Sequence, residues 1–336
     1  MEWKKGYSAS YYARIIDPVA WRETERIEIT GGSINRGEDG LRDAADIDTT
    51  KYDVGEQYIR IYLDAKQSGT SQHVPLFTGL TSKPKRKIEG DMETVTLQCY
   101  SMLKPASDVL LDRGYYAPSG ILGTTIIQDL LKVVPAPVEV IEDKEKAPML
   151  RTSIIAESGE TRLTMTDKIL NAIDWMLRIK GDGTLQLMPK PEEADISFDP
   201  LENDVIEPSI DIDYDWYAAP NVFRATEDDM SAIAKDESPD SPLSTVSRGR
   251  EIWAEETSCN LNAGETIAEY AVRRLKEMQS KSITASYDRR YHPDVYVGSL
   301  VRLHYPRQGL DGVFEVTSQK IKLGHGANTN EEVVKK

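Results

Sequence analysis

Cysteine and histidine are scarce in this chain, and their scarcity excludes a good deal. The only two cysteines, Cys99 and Cys259, lie far apart. That rules out a disulfide framework and fits two free thiols in a reducing compartment. Cys99 alternates with Val95 and Leu97, so it reads as a small core residue. The four histidines, His73, His292, His304 and His325, are not spaced as metal ligands within one element. There is no phosphate-binding Gly-x-x-x-x-Gly-Lys-[Ser/Thr] loop, no Gly-x-Gly-x-x-Gly, no His-Glu-x-x-His and no Gly-x-Ser-x-Gly elbow. No cofactor, metal or catalytic residue is therefore expected. An apolar run of about 18 residues is also missing, so no membrane span is expected. The start, Met1-Glu2-Trp3-Lys4-Lys5, runs straight into polar sequence and does not read as a signal peptide.

Positive charge is lacking too. The net charge is −15, the wrong sign for displacing counterions from phosphates, so specific nucleic-acid binding is not expected. The imbalance is local. Pro191 to Phe223 holds ten carboxylates and no Lys or Arg. The opposite patch is short: Lys83, Lys85, Arg86 and Lys87 around Pro84. Within the acidic stretch, Asp211, Asp213 and Asp215 alternate, and period two puts them on one face of a strand. An EF-hand would need Gly and Glu where Trp216 and Val222 stand, which disfavours calcium. The leading readings are a solvated acidic face and the lining of a pore that repels phosphates, with a calcium site of another kind as the last alternative.

What is present is a phrase that occurs twice. Gly55, Ile59-Arg60-Ile61, Phe77 and Thr81-Ser82 are echoed by Gly298, Val301-Arg302-Leu303, Phe314 and Thr317-Ser318. Each copy reads as a turn, a strand, a loop and a return strand. A chain with two related β-units supplies six units from three copies.

At 336 residues, more than one domain is expected. Residues 1–100 alternate as strands: Ile59, Ile61 and Leu63 face one way, Tyr58, Arg60 and Tyr62 the other. Residues 101–200 read as an inserted α+β domain. Helices are expected at Met102 to Leu111, Gly123 to Val133 and Leu163 to Ile179, followed by a hairpin turning at Gly181-Asp182-Gly183. Residues 201–325 return to strands around one helix, with Asn262 and Glu265 as an expected capping box. Residues 326–336 are expected to form a flexible tail. The fold class is thus mainly β with an α+β insertion: two β-domains, barrels or sandwiches, flanking a small α+β domain.

The second β-domain resembles the phage tail hub family, the baseplate hub proteins. Its carriers are Pro220-Asn221-Val222, Ser238 to Ser244, Gly249-Arg250, a helix ending near Leu275, His292-Pro293-Asp294-Val295, Gly298 to Leu303, Gly312 to Val316 and Ile321 to Gly324. The segment Leu163 to Leu187 resembles the inserted domain of these hubs. The resemblance spans roughly two thirds of the chain and is nearest to hubs of phages and phage-like bacteriocins of Gram-positive bacteria. It implies two tail-tube-like β-barrel domains per subunit and a homotrimer whose six barrels adapt a six-fold tail tube to a three-fold central spike. It further implies contacts with the tail tube protein, central spike, tape measure protein and other baseplate proteins. The expected location is the distal tail or baseplate of a virion or phage-like particle, assembled in the host cytoplasm, with no enzymatic activity. Candidate interface aromatics are Tyr58, Tyr62, Trp216, Tyr217 and Trp253. The alternatives are a peptidoglycan hydrolase and a carbohydrate-binding adhesion module of the tail tip.

Overall fold

A computed structural model describes residues 1–38, 40–49, 55–90, 92–141, 148–194, 196–199, 210–217, 219–227, 229–257, 259, 261, 265–324 and 327–336. The first unit is six strands: β1 (Ser8–Asp17), β2 (Arg22–Gly37), β3 (Asp43–Thr49), β4 (Tyr58–Gln67), β5 (Thr70–Glu89) and β6 (Met92–Ser101). They pair antiparallel in the order β1-β4-β5-β6-β3-β2, and β2 returns to β1. The ladders therefore close into a barrel. Alternation explains the closure. In β4, Ile59, Ile61, Leu63 and Ala65 are fully buried while their neighbours stay part-exposed. Together with Ile34, Ile47, Phe77, Val95, Leu97 and Cys99 they fill the barrel. Each large apolar side chain buried this way contributes about 1.5–3 kcal/mol.

The insertion carries α1 (Lys104–Asp108), β7 (Tyr116–Ala117), α2 (Gly123–Leu130), β8 (Val138–Val140), β9 (Ile154–Ile155), α3 (Arg162–Ile173), β10 (Trp175–Ile179) and β11 (Leu185–Pro189). The expected helix through Ile179 stops at Ile173. Asp174 adopts a left-handed conformation there, and the chain turns straight into β10. The stripe read as helical at Met176 and Leu177 is strand alternation instead, with Trp175, Leu177 and Ile179 buried. The turn between β10 and β11 docks on the barrel. A Cβ at Gly181 would lie 1.8 Å from the Pro75 carbonyl oxygen, so only glycine fits. Thr78 donates its hydroxyl to the Gly181 carbonyl at 2.8 Å, and Arg60 donates to the Asp182 carbonyl at 2.7 Å.

The last unit holds β12 (Ile196–Phe198), β13 (Ile210–Tyr214), β14 (Val222–Glu227), β15 (Met230–Lys235), α4 (Thr245–Arg248), β16 (Trp253–Thr257), α5 (Ile267–Ser280), β17 (Ile283–Arg290), β18 (Leu300–Tyr305), β19 (Leu310–Lys322) and β20 (Asn328–Lys335). Six of these strands pair in the order β12-β18-β19-β20-β17-β13. That is the order of the first unit, strand for strand, with β12 in the place of β1, β13 of β2, β17 of β3, and β18, β19, β20 of β4, β5, β6. The ring is not closed here: among the described residues no ladder joins β12 to β13. The expected second barrel is thus an open sheet over these residues. β12 has only three paired residues and runs parallel to β18, whereas β1 runs antiparallel along the length of β4.

Two further expectations change. Of the expected loose tail, 326–336, the described part is strand instead: Asn328–Lys335 pairs with β17 on one side and β19 on the other. Thr329, Glu331 and Val333 alternate inward there, a period hidden by their polar composition. The helix α5 is capped by Thr266 with Glu269, which exchange hydrogen bonds in a capping box; Asn262 lies outside the described residues. A small sheet in the order β15-β14-β16 packs against α5.

Candidate assembly interface

The two units are joined into one sheet. Beyond its ladder with β1, β2 pairs antiparallel with β19: Ser33 with Lys322, Ile34 with Ile321, Asn35 with Lys320, Arg36 with Gln319 and Gly37 with Ser318. Main-chain hydrogen bonds thus run unbroken from the barrel into the second sheet.

Behind that ladder lies a buried polar chain. Arg36 donates to the Gln319 side-chain oxygen at 3.2 Å and to the Leu76 carbonyl at 2.5 Å. Gln319 donates to Glu331 at 2.6 Å and to the Val295 carbonyl at 3.0 Å. Arg289 grips both oxygens of Glu331, with side-chain exposures of 1% and 0%. Burial alone would lower the Arg289 pKa, but the Glu331 carboxylate beside it holds it above its ordinary value. The guanidinium groups of Arg36 and Arg178 both lie over the Tyr296 ring, at 5.0 and 5.4 Å, so this cluster joins both units and the insertion. Sequence reading missed this chain. Its signal is the polar alternation Thr329-Asn330-Glu331, whose composition resembles that of a tail.

Asp43 sits in the same region, buried beside Arg36 and Arg42. Burial pushes its carboxyl up to about 6, against the opposing pull of Arg36 and Arg42. A carboxyl whose folded pKa exceeds its unfolded value favours the fold when protonated. Its contribution is present below about pH 4 and is lost as the pH rises through about 6. Asp43→Asn removes the dependence. The shift from 3.8 to about 6 corresponds to about 3 kcal/mol. Denaturant titrations of both proteins at pH 4.5 and pH 7.5 are expected to show the wild type losing stability relative to Asp43→Asn at the higher pH. A difference independent of pH would refute this assignment.

Three of the motifs that carried the family resemblance meet at one residue. Asn221 is fully buried. Its amide donates to the carbonyls of Leu243 and Arg250 at 3.2 and 3.0 Å and accepts from the Ile252 N–H at 2.7 Å. Pro220-Asn221, the Ser238–Ser244 loop and Gly249-Arg250 are therefore one structural staple, with Gly249 left-handed at the end of α4.

The candidate site residues are scattered. Tyr58 packs edge-on to Trp21, centroids 6.5 Å apart, against the core of the insertion, so its interface lies within the chain. Tyr62 stacks on Tyr12 at 5.1 Å and donates its hydroxyl to Glu23. Trp216, Tyr217 and Trp253 are 50%, 79% and 48% exposed. Arg250 covers one face of Tyr217 and Arg224 one face of Trp253. Asp211 and Asp213 are exposed on one face of β13, and Asp215 follows just after it, its N–H bonded to the Ser282 carbonyl. Among the described residues no three His, Cys, Asp or Glu side chains are grouped to hold a metal ion. No described helix is long and apolar enough to cross a membrane.

No protein-family model matches the sequence, and no curated protein matches it. Solved structures do. The tail protein from Neisseria meningitidis MC58 superposes with a TM-score of 0.68 at 16% identity, over 99% of this chain and 97% of that one. This chain has the fold of phage tail proteins. The 43 kDa tail protein of prophage MuSo2 from Shewanella oneidensis gives 0.66 at 16% identity, covering 98% of both chains. Prophage tail protein gp18 from Listeria monocytogenes EGD-e gives 0.56 at 10% identity, covering 97% of this chain and 94% of that one. The tail-protein fold is thus shared with proteins of three different bacterial sources. At these identities the likeness establishes the fold, and function has to be argued from the molecule itself.

Proposed function

We propose that this chain is a structural hub of a phage or phage-like tail, a homotrimer whose six β-units form a ring between the six-fold tail tube and the three-fold central spike. The observation that carries this reading is the duplicated strand order, together with the β2–β19 ladder that joins the two units side by side. A three-fold object can present six similar faces only if each subunit holds two similar units in the same orientation. In this reading the face of β13 bearing Asp211 and Asp213 lines the channel. The tube, spike, tape measure and other baseplate proteins are its partners, and its place is the distal tail or baseplate.

An adhesion role would rest on the exposed aromatic rings. Arg250 and Arg224 already occupy one face of Tyr217 and of Trp253, which weakens that reading. Co-expression with the tube and spike proteins of the same gene cluster is the test. The expected product is a complex holding three copies of this chain. Clearing of labelled cell walls, or glycan binding without tube or spike binding, would replace the hub reading with one of its rivals.

A further inference from the structure

Each molecule carries one filled junction and the two halves of an empty one. The filled junction joins the free edge of β2 to the part of β19 that extends beyond β18. By strand order, the counterpart of β2 is β13, and its outer edge has no partner strand among the described residues. The counterpart of β19 is β5. Its ladder with β4 ends at Leu80, while among the described residues Pro84 to Glu89 pair only with β6.

The register of the filled junction transfers to the empty one. Ile59 and Val301, which correspond in the repeated phrase, lie opposite Gly79 and Phe314, and these lie opposite Ser101 and Lys335. Tyr100 and Val334, one residue earlier, therefore correspond, and so do their partners Ala44 and Thr284. Asn35 lies opposite Ala44 and Asp213 opposite Thr284, so Ser33, Ile34 and Asn35 correspond to Asp211, Ile212 and Asp213. On the other strand, Pro84 pairs three residues before Tyr100, and Gln319 three residues before Val334. Lys85, Arg86 and Lys87 therefore correspond to Lys320, Ile321 and Lys322. In the filled junction Asn35 faces Lys320 and Ser33 faces Lys322. Transferred, Asp213 faces Lys85 and Asp211 faces Lys87.

Resting on the trimeric hub reading, we infer that β13 of one copy pairs antiparallel with the outer edge of β5 in the next copy, with Asp213 opposite Lys85 and Asp211 opposite Lys87. The occupant of each edge is a second copy of this chain. The two charge features that stood apart in the sequence, the alternating aspartates and the short basic run, become the two sides of one seam. All four side chains are exposed in the single chain. Among the described residues Lys87 has only an exposed ion pair to Glu89, at 2.7 Å, to give up. Opposite charges directly across a ladder stabilise it and like charges disfavour it, so the register is selected as well as the partner. The junction is head-to-tail, the kind that closes into a ring. Its side chains share one face, so the channel wall at each seam carries alternating charge instead of a uniform acidic band.

The competing view is that Pro84 and the lysines merely protect a lone edge from aggregation. Charge reversal separates the two. Three variants of the full chain are needed: Lys85→Glu with Lys87→Glu, Asp211→Lys with Asp213→Lys, and all four together. Circular dichroism confirms folding, and sedimentation equilibrium across a concentration series gives the mass. The wild type is expected to trimerise. Each reversed pair is expected to raise the subunit dissociation constant on the order of 100-fold, and the fourfold swap to restore it. A trimer unaffected by either reversal would overturn the seam and leave the hub reading standing, as would reversals that the swap fails to rescue. A wild type monomeric at every concentration would overturn the seam. A wild-type assembly not divisible by three would instead sink the hub reading, while the swap still judges the seam.

Discussion

Glu331→Ala is expected to destabilise the protein by about 3–5 kcal/mol, because it leaves the Arg289 guanidinium buried with no countercharge. The loss comes from stranding a charge, not from removing an attraction. Arg289 has no route to water at 1% exposure, and its remaining donor contact is to the Arg290 carbonyl at 2.6 Å. Gln319 also loses an acceptor, and through it the link to Arg36 weakens. Replacing both members, Arg289→Met with Glu331→Leu, is expected to cost far less than either single change, since no unpaired charge is left behind. Equilibrium urea unfolding of Glu331→Ala, of Arg289→Met and of the double variant checks this. A double variant as unstable as Glu331→Ala would mean that the network contributes net stability as an ion pair.

Phe77→Ala and Phe314→Ala are expected to cost about 3–5 kcal/mol each, the usual range for emptying a well-packed aromatic site. Both rings are 1% exposed. They sit on the corresponding strands β5 and β19, one opposite Ile61 and the other opposite Val301. The ladders put the two rings two residues out of step, Phe314 standing where the first unit has Gly79, so the substitutions give one cavity in each unit at neighbouring, not identical, positions. Hydrogen exchange locates the effects. Loss of Phe77 should speed exchange first in β4 to β6, and loss of Phe314 first in β18 to β20. Because β2 and β19 share a ladder, each defect should also reach the other unit at lower amplitude. Exchange confined wholly to the mutated unit would mean that the shared ladder does not couple the units.

The repeated phrase made the duplication legible because core alternation and turn glycines are local signals. Ile59, Ile61 and Leu63 announce a half-buried strand to any reader of period two, and the structure buries all three. The order of the strands was not legible. Pairing of β3 with β6, or of β2 with β19, joins segments far apart in sequence and leaves no local trace. The closing strand β20 was missed for a related reason. Its inward residues include Thr329 and Glu331, which are buried with their polar groups satisfied, Glu331 by Arg289 and Gln319 and the Thr329 hydroxyl by the Ala327 carbonyl. The helix boundary at Ile173 failed because Met176 and Leu177 suit either period. The aspartates of β13 were legible as a shared face. Their strand's empty edge became visible only with the ladder it lacks.

Electron cryomicroscopy of the purified, assembled chain tests the idea of duplicated units most directly. The expected image is a closed ring of three copies, its six sheet units spaced at near-equal angles around one channel, with every junction a continuous ladder. A ring of any other copy number, or three copies whose paired units stand at plainly unequal spacing, would contradict it.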